Sequence, residues 1–447
     1  MKRGCVVALM GLAAACGPVG GRDAGGSSGT ADAGGGGGVT FSFGAPEPVS
    51  GQDPAGSGGL GLAVNSAGEI AVTYLVELTT TQTCVTPFTP ARELPESGLR
   101  LARSSMVDEW TDVVLYEPRS PVGSHCTYNS NGNLHVVFAG GDQGTGECGS
   151  SDLMEAVVAP GAMTGTVTTL AADGNTSRTC RTIQNACNVG NVVGGFPWIS
   201  FAADGRKLVA TQDRHFGFAA QVDREGTDLE VLIDGAITTV DDTSGSGWFN
   251  QIFEANGMPS VVHVQIKDWD WGAMGGSKAK GVWFTQQQMD GTWRDVMVDG
   301  TTVPDSQISA AWHPTLGYAV AYHEPDVDDD LWVATSPDGL TWTKERVANL
   351  GRVGRTPSIA WSRDTLIVAY GACNGPTDTG GNCQPARDGV RLSIKDAGVW
   401  RTQTVYNSEE FLEGTDVRMV VDANGNPIIA FKSQGTRRVL VVRGRRS

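Results

Sequence analysis

The sequence predicts an all-β protein, a seven-bladed β-propeller of four-stranded antiparallel blades with its ring closed by the N-terminal strand. Three observations carry this. Seven short apolar runs recur, at 70–74 (IAVTY), 134–138 (LHVVF), 208–212 (LVATQ), 260–264 (SVVHV), 318–322 (YAVAY), 366–370 (LIVAY) and 427–431 (PIIAF). Runs of this length without polar alternation suit strands buried on both faces, as inner propeller strands are. Tight-turn signals precede most of them, among them Asn131-Gly132, Asp204-Gly205, Asn256-Gly257 and Asn424-Gly425, which supply the positive φ of two-residue hairpins. The last unit has only three strands, near 416–421, 427–431 and 438–443, while the segment 39–49 has no partner of its own. That segment is expected to complete the last blade and remove its exposed edge.

Composition agrees. Of 447 residues, 61 are Gly and only 18% are charged, which suits strands and turns better than helices. The net charge of −16 argues against nucleic acid and anionic lipid as main partners. A monomer is expected.

Taken in order, the chain opens on an export signal. Lys2 and Arg3 precede an apolar stretch, 5–15, too short to span a bilayer. It ends Leu12-Ala13-Ala14-Ala15-Cys16-Gly17, which resembles a bacterial lipoprotein signal in which Cys16 becomes the acylated first residue. Simple secretion by cleavage after Ala15 is the alternative. Residues 16–38 are glycine-rich with little to bury, and read as a disordered tether. The expected division is signal 1–15, tether 16–38 and propeller 39–447. The expected location is the outer membrane or cell surface, with the membrane reached only through the lipid anchor; a secreted or periplasmic protein is the alternative.

Seven cysteines remain after Cys5 and Cys16: Cys84, Cys126, Cys148, Cys180, Cys187, Cys373 and Cys383. In an exported chain, disulfides are the default. Cys180 with Cys187 and Cys373 with Cys383 are close enough in sequence to close loops. One of Cys84, Cys126 and Cys148 is left over.

The clearest blade spans 307–347, with strands expected at 308–312, 318–322, 331–335 and 341–347. Fourth strands open on tryptophan, at Trp110, Trp293, Trp342 and Trp400, each expected to cap its blade against the next. The turn Ser336-Pro337-Asp338-Gly339-Leu340-Thr341-Trp342 resembles the Asp-box of sialidase-like (BNR-repeat) propellers, shortened by one residue. Asp290-Gly291-Thr292-Trp293 is a partial copy. The resemblance implies a structural hairpin held by Ser and Asp side chains. The catalytic half of that family's pattern is not found: no Arg-Ile-Pro motif occurs, and Arg214, Arg355 and Arg418 merely lie near strand ends.

Long insertions fall in the second-to-third and fourth-to-first connections, which share one face of a propeller. Function is expected there. Alignment of second strands places Asp213, Gln265, His323 and Lys432 at equivalent rim positions, with His263 two residues inside. Such groups could meet a polar ligand at the channel mouth; a solvated rim is the plainer reading. Trp269 and Trp271, set among carboxylates in one loop, could stack on sugar rings. Glu324, Asp326, Asp328 and Asp330 cluster as oxygen ligands suited to Ca²⁺, without EF-hand spacing; a solvated acidic loop is the plainer reading. His135 and His263 are expected to be hydrogen-bonded core residues, and Trp198 and Trp248 to open first strands. Zinc spacing is absent, and no other cofactor is implied.

The favoured function is a non-enzymatic surface binding module for a glycan or an envelope or extracellular protein. The alternatives are a glycan-active enzyme, hydrolase or lyase, and a structural envelope scaffold. Two carboxylates opposed across an axial pocket would mark the enzyme.

Overall fold

The computed structural model describes residues 38–49, 59–86, 89–117, 122–140, 151–172, 192–216, 225–243, 245–270, 277–325, 329–349, 352–373, 388–407, 416–433 and 438–447. Among them there is no helix. The strands form seven antiparallel blades. Blade I is Gly61–Val64, Ile70–Thr86, Thr89–Met106 and Glu109–Tyr116; blade II is Val122–Tyr128, Leu134–Gly140, Asp152–Val158 and Thr166–Ala171. Blade III is Val192–Phe201, Lys207–Phe216, Glu225–Ile233 and Ala236–Asp241; blade IV is Trp248–Ala255, Met258–Gln265, Gly281–Gln287 and Trp293–Asp299. Blade V is Ser309–His313, Gly317–Glu324, Asp330–Ser336 and Thr343–Ala348; blade VI is Arg352–Ser362, Thr365–Cys373, Asp388–Asp396 and Val399–Asn407. Blade VII has Val417–Val421, Pro427–Ser433 and Arg438–Arg446 from the end of the chain, and Phe41–Phe43 and Glu47–Pro48 from its beginning. The ring is closed as expected.

Each first strand packs against the first strands of both neighbouring blades, so these seven strands surround the axis. The second strands are the most completely buried; Leu134–Gly140 and Pro427–Ser433 are buried at every residue. The protein has no single core. Seven apolar clusters fill the seven seams between blades, one to a seam. At seam VII–I, for example, Ile428, Ala430, Val439 and Val441 meet Leu62, Ile70, Val72 and Tyr74. This layering is why the second strands read as unbroken apolar runs.

The fourth-strand tryptophans cap seams, but each reaches back to the preceding blade rather than on to the next. Trp400 of blade VI donates to Glu345 of blade V at 2.9 Å. Trp342 of blade V lies against Phe284 of blade IV, and Trp293 of blade IV joins the seam with blade III. Trp110 of blade I donates to Glu47 in blade VII at 3.2 Å. Trp198 does not open its strand as expected; it sits well inside Val192–Phe201, which starts earlier than its apolar run suggests.

Two faces result. The connections between first and second strands and between third and fourth strands are short turns on one face, here the plain face. The remaining connections lie on the looped face. The Asp-box turn belongs to the plain face. There the Asp338 carboxylate accepts from the Leu340 and Thr341 N–H groups at 2.8 and 3.1 Å, and Ser336 Oγ accepts from the Gly339 N–H at 2.8 Å. Gly339 has φ +75°, a conformation that glycine adopts without strain.

Candidate functional site

The four equivalent second-strand ends come together as one layer beneath the looped face. They are not a solvated rim. Asp213, Gln265, His323 and Lys432 are all buried, because side chains and backbone from the looped-face connections cover them. Lys432 Nζ meets Asp416 at 3.1 Å. Gln265 donates to the Lys267 carbonyl at 3.0 Å and accepts from Thr243 Oγ1 at 3.4 Å. These groups hold the loops on the ring.

His323 shows the arrangement most clearly. Its Nδ1 lies 2.8 Å from Asp305 and its Nε2 3.3 Å from Asp329, so carboxylates from two separate connections grip one imidazole. Burial opposes a charge on His323, but the hydrogen bonds and charges of Asp305 and Asp329 outweigh it and raise its pKa above the ordinary value. Asp305 responds in the opposite sense. Burial would raise its pKa, yet the bond to His323 and the nearby Arg355 charge bring it below the usual range.

The acidic segment beside it divides. Asp326 and Asp328 lie outside the described residues. Glu324 accepts from the Trp332 indole N–H at 2.6 Å, and Asp330 meets Arg346 at 3.2 Å, so both carboxylates already serve other side chains. Among the described residues no group of three or more His, Cys, Asp or Glu could hold a metal ion.

In blade IV the looped-face connection contains a small hairpin, Trp269–Asp270 with Ser277–Lys278. Trp269 lies in it, its side chain outside the described set, and Trp271 lies outside the described residues. Lys278 pins the hairpin down. Its Nζ reaches Asp241 of blade III, lies 2.8 Å from Asp295 of blade IV, and sits 4.4 Å from the centre of the Trp283 ring. His263 lies fully buried beneath, 3.4 Å from Thr285 Oγ1 and 3.7 Å from Asp241. Burial, then the Lys278 charge, depress its pKa to about 3, so it is neutral. His135 is also a core residue, bonded to Glu155 at 2.9 Å and Asn129 at 3.1 Å.

Alignment of second strands does not reveal the layer lining the axis. Gly61, His125, Ser309, Ser358 and Arg418 each stand opposite the fourth residue of their second-strand run. Trp198 and Gln251 stand one step lower, past irregularities in the ladder. Most of these side chains reach the backbone of the following blade. His125 Nδ1 accepts from the Ile199 N–H at 3.3 Å. Gln251 exchanges two hydrogen bonds with Ala310, at 2.7 and 2.9 Å. Ser309 accepts from the Ile359 N–H at 3.1 Å, and Ser358 from the Met419 N–H at 2.9 Å. Arg418 donates to the Leu60 carbonyl at 3.1 Å, across the closing seam. The two remaining seams are crossed by Ser124 to Gly59 at 2.8 Å and Gln212 to Ser246 at 3.3 Å. A polar belt thus ties all seven blades around the axis.

Three members of the belt converge. His125 stacks on Trp198 with ring centres 3.6 Å apart, and the Arg418 guanidinium lies 5.8 Å from the Trp198 ring. Burial, then the positive charge of Arg418, depress the His125 pKa to about 3. With Nδ1 accepting, the neutral ring carries its proton on Nε2. Burial lowers the pKa of Arg418, with Asp416 opposing. The belt presents an arginine, a neutral histidine and an indole to the axis, and no carboxylate.

A sequence signal for the belt exists. Gly194-Gly195-Phe196-Pro197-Trp198, Gly247-Trp248-Phe249-Asn250-Gln251 and Gly354-Arg355-Thr356-Pro357-Ser358 end on belt residues. In each the glycine and the third residue have positive φ: 97° and 49°, 76° and 51°, 93° and 45°. For Phe196, Phe249 and Thr356 this strained backbone costs about 1–3 kcal/mol each. It re-aims the strand just before the belt residue, as bulges do beside sites.

Among the described residues Cys126 is a free cysteine, buried, and with burial pushing its pKa up to about 12. Cys373 is disulfide-bonded. Cys148, Cys180, Cys187 and Cys383, like Cys16, lie outside the described residues, as does the side chain of Cys84.

Fold and site together define a seven-bladed β-propeller with one elaborated face and a polar axial belt. No protein-family model matches the chain, and no curated protein does. Solved structures with a likeness to it include a Dyadobacter fermentans protein of unknown function, 14% identical with a TM-score of 0.45, over 74% of this chain and 97% of that one. An ulvan lyase of a polysaccharide lyase family is 11% identical with a TM-score of 0.49, over 78% of this chain and 81% of its own. A Streptococcus pneumoniae sialidase is 10% identical with a TM-score of 0.43, over 89% and 70%. At these identities none of them assigns an activity.

Proposed function

We propose that this chain is an exported surface propeller, lipid-anchored through Cys16, that binds a glycan or a protein partner through its looped face. The observation that supports it is the way the looped face is built. Its connections are fastened to the ring by buried ionic and polar contacts, His323 to Asp305 and Asp329, Lys432 to Asp416 and Lys278 to Asp241 and Asp295. Loops fixed in this way present a preformed surface, which lowers the ordering cost of binding. A glycan is the favoured partner: Trp269 and Trp271 would stack on sugar rings in the hairpin pinned by Lys278. The Asp326 and Asp328 segment is retained as a proposed Ca²⁺ site. The hydrolase form of the enzymatic reading calls for paired carboxylates at the axis, whereas the belt residues there include an arginine, a histidine and a tryptophan.

A glycan array with the full chain carrying Cys16→Ser, run with and without Ca²⁺, tests this. A bound glycan whose signal falls at least tenfold in Trp269→Ala or Trp271→Ala supports the proposal. No binding to any glycan rejects its sugar form, and shortened or unsaturated products released from a bound glycan would establish the enzyme instead.

A further inference from the structure

The chain enters and leaves the ring on the plain face. Arg438–Arg446 runs from the looped face to the plain face, and Phe41 pairs with Arg446 at its far end. The Ser447 N–H donates to the Thr40 carbonyl at 3.0 Å, so both ends of the propeller sit side by side there. Residue 38, the first described, lies at that face.

The same face gathers apolar side chains. Among the described residues eight large apolar side chains are exposed, and six stand at plain-face turns: Met106 and Val107 in blade I, Met289 in blade IV, Leu316 and Leu340 in blade V, and Val399 in blade VI. The other two, Val114 and Met297, lie along fourth strands. Exposed apolar residues scattered singly over a surface mean little. Here six of them share the face at which residue 38 enters the ring, and Met289 is 92% exposed. Four carboxylates of plain-face turns have partners within that face. Asp204 holds Arg206 at 2.6 Å, Asp290 accepts from Thr292, Asp338 caps its own turn, and Asp364 meets Arg446 at 3.2 Å.

From this we infer that the plain face is the membrane-facing surface, its turn tips touching the lipid headgroup layer and its looped face turned outward. The inference rests on the anchoring at Cys16 proposed above. Residues 17–38 span at most about 75 Å when fully extended. As a glycine-rich coil their root-mean-square reach is about 25 Å. That is about the height of a blade, since an eight-residue strand rises about 26 Å. The plain face is thereby kept close to the bilayer. A few apolar tips orient an anchored protein without being able to hold it alone.

The test uses the full acylated chain in vesicles of phosphatidylethanolamine and phosphatidylcholine carrying a headgroup-linked photocrosslinker. Co-sedimentation of wild type and of Cys16→Ser is read first, and the crosslinked residues are then mapped by mass spectrometry. The expected result is sedimentation of wild type only, with crosslinks at Met106, Met289, Leu340 and Val399. Met289→Gln with Leu340→Gln and Val399→Gln lowers crosslink yield at least threefold and leaves sedimentation unchanged. If wild type sediments but crosslinks fall on the looped face, or spread over both faces, the orientation is wrong and the anchor stands. If wild type does not sediment, the anchor is refuted and the orientation with it.

Discussion

Glu47 is the residue on which closure of the ring can be tested most directly. It comes from the start of the chain and is 3% exposed. Its carboxylate accepts from Arg443 Nε at 2.7 Å and Nη2 at 3.3 Å, from the Trp110 indole at 3.2 Å and from the Asp108 N–H at 3.1 Å. It therefore joins the N-terminal strand, the last strand of the chain and blade I. In Glu47→Ala, Arg443 loses its carboxylate but keeps the Met106 carbonyl at 3.0 Å. Losing a hydrogen bond to a charged group costs about 1.5–3 kcal/mol, and each donor left unmet adds about 1–3 kcal/mol where water cannot reach it. Trp110 and Asp108 are partly wetted and Arg443 is 22% exposed, so the sum is discounted to about 3 kcal/mol. Because a ring of this size need not unfold in one step, the fitting measurement is local hydrogen exchange. Amides in 41–48 should exchange about 100-fold faster in Glu47→Ala, while blades III and IV stay unchanged. A change below about threefold at 41–48 would show that the clasp does not depend on this carboxylate.

Other expectations concern titration and thiol chemistry. Folded His125 and His263 resist protonation down to about pH 3, while their unfolded forms take up a proton below about 6.5. Stability should therefore fall as pH drops through that interval, by about 2 kcal/mol for each at pH 5. Urea titrations across pH should show this slope, and it should flatten in His125→Gln. His323 has the opposite sign: its raised pKa gives stability that is complete below about 6.5 and is lost as pH climbs through the raised value. Protection factors near His323, taken relative to the intrinsic base-catalysed exchange rate, should fall on the alkaline side in wild type and lose that dependence in His323→Gln. Cys126 should not react with iodoacetamide at pH 8 in the native protein and should react at once in guanidinium, as peptide mapping can follow.

Much of the fold was legible because a buried strand writes its environment locally. The second strands face apolar seams on both sides, so IAVTY at 70–74 and YAVAY at 318–322 announce themselves. Closure was legible because an unpaired strand at one end matches a missing strand at the other. The site was read less well. Asp213, Gln265, His323 and Lys432 each follow their second-strand run by one residue, but their burial depends on groups from distant connections, such as Asp305 over His323 and Asp416 over Lys432. No local pattern around His323 identifies Asp305 as its partner. The axial belt escaped because its members, from glycine to arginine, share a register and not a chemistry. The glycine four residues before Trp198, Gln251 and Ser358 was the available clue.

The clasp strand also decides how the ring bears load. A pull on residue 38 away from the plain face acts along the axis of Phe41–Phe43 and Glu47–Pro48, parallel to the strand against which they pair. The ladder and the Glu47–Arg443 pair are then strained together in shear, instead of opening one after another as in peeling. The point at which the chain enters the ring is thereby also its mechanically resistant one.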